Sequence, residues 1–99
     1  HLAVYAARPD AGAVVHAHPP AATAHAAARL PIVDDVLPEL VCQVGPVALV
    51  PYFTPGTREA RDAFAPYLAA HDAFLLANHG ATTVGATLEE AHRRMESLE

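Results

Sequence analysis

The stretch Gly12-Ala13-Val14-Val15-His16-Ala17-His18-Pro19-Pro20 runs an apolar, β-branched segment straight into two histidines. It is too short for a stable helix, and glycine on one side and proline on the other bound it, so a buried strand is expected over Ala13 to His16. Side chains two apart on extended backbone point to the same face, which lets His16 and His18 reach one ion. Pro19 has no N–H to continue a ladder, so the strand stops where loops build sites.

Working outward, residues 1 to 8 read as part of an amphipathic helix that Arg8-Pro9-Asp10-Ala11-Gly12 ends with proline and glycine punctuation. His1-Leu2-Ala3-Val4-Tyr5 resembles the middle of such a helix, so the N-terminal part of the domain is expected to precede it. On the other side, Pro19-Pro20 opens an alanine-rich helix over 21–28. Prolines 31, 38 and 46 divide Leu30 to Leu49 into short extended pieces, and Val47 to Val50 is the clearest strand there. Pro51 to Gly56 reads as a loop, with Thr57 placed to cap a helix over Arg58 to Ala70. Ala60, Phe64, Tyr67 and Leu68 lie at helical spacing in it, and Pro66 falls in its last turn. Ala73 to Ala77 and Thr82 to Val84 read as strands, and a final helix runs to Leu98 with Thr87 as cap and Glu90 at the capping-box position. Alternating short strands and helices give an α/β or α+β class.

The 99 residues, 53% of them hydrophobic, suffice for one domain with a core, and residues 1–99 are taken as one unit. With no Trp and much Ala, that core must be built from Ala, Val and Leu. A net charge of −5, with no Lys and six scattered Arg, offers no stripe for nucleic acid and no polybasic membrane anchor. The single Cys42 cannot form an internal disulfide and is expected as a small buried apolar residue. No apolar run reaches membrane-spanning length and no leader peptide is visible, so a cytoplasmic location is expected.

Two imidazoles from one strand need a third from elsewhere, and His1, His25, His71, His79 and His92 are the candidates. His79 follows an apolar strand directly and precedes Gly80, so its ring projects from a strand end. His71 and His92 lie in polar helical surroundings and read as surface residues. His25, two helical turns after His18, could face the site and touch substrate or a ligand. Three histidines leave one position of a tetrahedral Zn²⁺ open, the mark of a catalytic rather than a structural site. The absence of Lys excludes a Schiff base within these residues, so carbonyl chemistry would use the divalent metal as Lewis acid. A metallohydrolase with an HxHxDH signature is disfavoured, because Pro20 stands where its Asp would be.

HLAVYAARPDAGAVVHAHPP at 1–20, PYFTPGT at 51–57 and LLANHGATTVG at 75–85 together resemble the class II aldolase/adducin family over nearly the whole chain. The resemblance implies that His16, His18 and His79 are its three metal-binding histidines. It also implies a three-layer α/β/α fold around a mostly antiparallel sheet, incomplete here, and a homotetramer with active sites at subunit interfaces. The family's acid/base carboxylate and phosphate-binding loops lie upstream of His1. The tyrosine of the fuculose-type aldolases has no match between Pro31 and Glu39, whereas Glu39 falls about where the dehydratase branch carries a catalytic glutamate.

The expected activity is that of a zinc-dependent aldehyde-lyase cleaving a phosphorylated sugar through a metal-stabilised enediolate. A sugar-phosphate dehydratase or 4-epimerase of the same family, with Glu39 as acid or base, is the alternative. An adducin-like scaffold without catalysis is a third reading, and three convergent imidazoles argue against it.

Overall fold

The computed structural model describes residues 1–33 and 37–99. In chain order the elements are α1 (Leu2–Ala7), β1 (Ala13–Ala17), α2 (Pro20–Ala28), α3 (Pro38–Gln43), β2 (Val47–Val50), α4 (Glu59–Phe64), β3 (Ala73–Leu76), β4 (Gly80–Gly85) and α5 (Leu88–Leu98). The strands form one sheet in the order β1-β4-β3-β2. β4 runs antiparallel to both neighbours, and only the β2–β3 pair is parallel. The sheet is therefore mostly antiparallel, as the resemblance implies.

Alternation along the strands sends side chains to two apolar layers. Ala73 and Leu75 of β3 join Ala22 and Ala26 of α2, Leu40 and Val44 from α3 and its C-cap, and Met95 and Leu98 of α5. On the other face, Phe74 and Leu76 pack with Val4 of α1, Phe64 of α4, Val14 and Val84. Helices cover both faces, giving three layers. β3 is buried along its whole length, which explains why its sequence is a continuous apolar run rather than an alternating one.

Four local expectations are corrected. Residues 38–43 are not extended but form α3. Pro38 sits in its first turn, where a missing N–H costs nothing, and Leu40 and Val44 lie four apart on its buried face. Cys42, on the opposite side of that helix, is exposed rather than buried. Thr57 does not cap α4: its hydroxyl donates to Thr54 O at 2.7 Å, and the helix begins at Glu59. That helix ends at Phe64 instead of Ala70, because the Pro66 ring cannot continue it. The α5 cap is as expected, with Thr87 Oγ1 accepting from Glu90 N at 3.2 Å. The Glu90 carboxylate reaches back one residue further than a standard capping box, accepting from Ala86 N at 2.7 Å. No helix among the described residues is long and apolar enough to cross a membrane.

Arg8 ties the end of α1 to the segment before β3. Its guanidinium donates to Leu68 O at 3.0 Å, His71 O at 3.2 Å, Asp72 Oδ1 at 2.8 Å and Asp10 Oδ2 at 2.6 Å. Hydrogen bonding from Arg8 holds the Asp10 carboxyl down to about 2. Asp72 also pairs with Arg94 of α5 at 3.1 Å, so one carboxylate links both helical layers across the sheet edge. Arg8→Ala should lower unfolding stability by about 2–3 kcal/mol, since it strands two carbonyls and part of a charge network. Urea denaturation compared with the parent protein checks this.

Candidate metal centre

β1 alternates Val14 and His16 toward the α1/α4 layer, with Val15 and Ala17 toward the other. Antiparallel pairing sets His16 opposite Thr82 and Ala17 opposite Ala81. His16 Nδ1 lies 2.8 Å from Ala81 O and 3.2 Å from Thr82 Oγ1. A carbonyl can only accept, so the proton is on Nδ1 and the Nε2 lone pair is free for an ion. Burial lowers the pKa of His16, partly opposed by its bond to Ala81, and this favours the neutral form that binds metal.

His79 reaches the same place from the turn between β3 and β4. His79 N donates to Leu76 O at 2.9 Å to close that turn, and Asn78 takes the left-handed conformation with φ 62°. The turn is fastened to α2 by Asn78 N to Ala26 O at 2.9 Å and Arg29 Nε to Asn78 Oδ1 at 3.1 Å. Gly80 is set by a close approach. A Cβ there would collide with His18 Cδ2 and lie 2.8 Å from Ala17 O, so glycine is the residue that leaves room for the His18 ring.

The three rings meet with centroids 4.7 to 5.0 Å apart. His16 Nε2 and His18 Nε2 are 3.2 Å apart, near the edge of roughly 3.3 Å in a tetrahedron with bonds of about 2.0–2.1 Å. One donor atom from each of His16, His18 and His79 lies within 4.8 Å of the others. His79 Nδ1 is buried without a hydrogen-bond partner among the described residues. Three imidazoles, one fixed in the ligating tautomer and one with an orphaned nitrogen, fit a divalent ion of the zinc type.

A cavity of about 240 Å³ opens beside His16 and His79, with Thr82, Val4, Phe53 and Arg61 also lining it. Of the other sequence candidates, His1 lines this cavity but does not join the three-histidine cluster, and the rest lie elsewhere. His25 is exposed and lines a different cleft, beside Leu40 and Leu98. His92 is exposed as expected and pairs with Glu96 at 3.4 Å. His71 is half-buried rather than on the surface, its ring near Tyr67 and Phe74. Glu39 is exposed in the first turn of α3, a helix of the layer opposite the histidines, and it does not line their cavity. Sequence reading missed Thr82, Phe53 and Arg61. Register alone identifies Thr82, while Phe53 lies in a loop and Arg61 on α4, whose docking against the cavity no local signal gives.

A family model described as the class II aldolase and adducin N-terminal domain matches residues 1–99. The chain belongs to that family. It is similar to the 3-oxo-tetronate 4-phosphate decarboxylase of Escherichia coli, at 39% identity over 103 residues, covering 100% of this chain and 49% of that protein. It is also similar to an L-fuculose phosphate aldolase of Escherichia coli, at 38% identity over 93 residues, covering 92% of this chain and 42% of that protein. Among solved structures, YgbL of Escherichia coli superposes with a TM-score of 0.90 at 38% identity, covering 99% of this chain and 49% of that one. The chain thus spans about half the length of the curated relatives it matches.

The crowding at Gly80 gives a clean test of the cluster. Gly80→Ala should displace the His18 ring and weaken zinc binding about tenfold or more, with the sheet retained. Isothermal titration with Zn²⁺, alongside circular dichroism, measures both. Unchanged affinity in a folded variant would contradict the geometry.

Proposed function

We propose that this chain is the metal-holding part of a lyase that breaks a carbon–carbon bond next to a carbonyl in a phosphorylated sugar or sugar acid. The convergence of His16, His18 and His79 at the mouth of a cavity carries this reading. A divalent ion held there, Zn²⁺ by the all-imidazole set, supplies Lewis-acid stabilisation of the charge left on an oxygen beside the broken bond. The protein's own part is to hold the imidazoles neutral and aimed. Ala81 O and Thr82 fix His16, Gly80 admits His18, and the β3–β4 turn presents His79. Val4, Phe53, Phe64 and Leu76 give the cavity an apolar wall that limits water around the reacting carbons.

Retro-aldol cleavage and decarboxylation both leave an electron pair next to a carbonyl, so one site serves either, and the names of the relatives support the pair. For dehydration or epimerisation with Glu39 as acid or base, that carboxylate would have to reach the cavity of a second copy, as the tetramer expected from the resemblance would permit. The homo-oligomer implied by the resemblance and a cytoplasmic location are part of the same proposal.

In the full-length protein, His79→Ala should reduce bound metal and lower turnover of 3-oxo-tetronate 4-phosphate or L-fuculose phosphate by about 100-fold or more. His92→Ala should change neither, because its ring is exposed and pairs only with Glu96. Metal content should also fall on acidification once His16 takes up a proton, and burial, which lowers its pKa, puts that loss below the ordinary 6.5. Elemental analysis and a lyase assay decide the matter, and full activity in a metal-free preparation would overturn the proposal.

A further inference from the structure

Arg61 is the only arginine lining the cavity beside the histidines. It projects from α4, one residue after Ala60 and three before Phe64, which line the same space. Its situation differs from that of the structural arginines. Arg8 and Arg94 are engaged by Asp72 and by backbone carbonyls, and Arg29 by Asn78. No hydrogen bond or ion pair engages the Arg61 guanidinium among the described residues. Among the described residues no carboxylate lines the cavity either, so none of them puts a charge of like sign beside a bound anion. Between Arg61 and the histidines the wall is apolar, formed by Val4, Phe53, Phe64 and Leu76. At about 240 Å³ the space lies below the roughly 300–1,000 Å³ typical of drug-sized ligands, which suits a short, few-carbon metabolite.

We propose that Arg61 is a specificity-determining residue that takes the oxyanion, phosphate or carboxylate, carried by the substrate at the end away from the metal-chelating oxygens. Arg61 is exposed at the cavity, free to meet an incoming anion, and guanidinium pairs with either group through two parallel hydrogen bonds. The anion then fixes which carbons lie beside the imidazoles, so Arg61 sets substrate length and charge while the histidines hold the metal. This inference rests on the metal-dependent lyase reading and adds to it a binding group within this chain.

The test uses full-length, zinc-loaded protein and three probes: acetohydroxamate, which carries only a chelating end, and phosphoglycolohydroxamate and malonohydroxamate, which keep the hydroxamate and add a distal phosphate or carboxylate. Arg61→Gln should weaken phosphoglycolohydroxamate, malonohydroxamate or both by about tenfold or more and leave acetohydroxamate unchanged, with Arg61→Lys intermediate. Whichever distal group loses affinity identifies the anion. Equal weakening of all three probes would reveal a merely structural residue, and no weakening of any would remove Arg61 from binding; both overturn the inference alone if zinc content is normal. Absence of bound zinc in the parent protein would overturn the metal reading, and this inference with it.

Discussion

The antiparallel pairing of β1 with β4, in the register that sets His16 against Thr82, is the constraint on which the candidate centre depends. It brings the end of the HxH strand beside the start of β4, so that residues far apart in sequence share one point. The same pairing offers Ala81 O to His16 Nδ1, which fixes the tautomer. A one-residue slip would turn His16 to the opposite face and exchange the carbonyl for another. Register here is well specified because both faces of the sheet are buried against helices. Val14 and Val84 pack on one side, Val15 and Ala81 on the other.

Around that pairing, the remaining parts of the structure hold the two flanking histidines in place. α2 begins immediately after His18, and its first N–H groups, which Pro19 cannot cap with a side chain, donate to the Glu99 carboxylate at 2.9 to 3.0 Å. The other end of α2 receives the β3–β4 turn through Ala26 O and Arg29. One helix is thus fastened near both His18 and His79, and the end of α5 closes on it. Most of these bonds engage backbone groups, which suits a site that must hold ligands to within a few tenths of an ångström.

Much of this was legible in the sequence because the informative residues act locally. Gly12 and Pro19 bound β1, the apolar run Ala73 to Leu76 is the central strand, and Thr87 caps α5. The three histidines stood out because strand alternation and strand-end position are local properties. Misreadings arose where one residue type has two uses. Pro38 divides a segment in one use and starts a helix in the other, and Thr57 bonds back to its own loop instead of forward. The space that Gly80 leaves for His18 is a contact between distant parts of the chain, which no local signal gives. The position of Glu39 on the opposite helical layer and of Arg61 at the cavity likewise depends on how helices dock, which spacing along the sequence does not encode.

The central claim is that one divalent ion sits among three imidazoles of this chain with a position open for substrate. Zinc K-edge X-ray absorption on the full-length protein addresses it most directly. The account predicts multiple-scattering features of three imidazoles at about 2.0–2.1 Å, with the remaining scattering from light oxygen atoms. A spectrum dominated by sulfur, or one that fits a single imidazole or none, would contradict it.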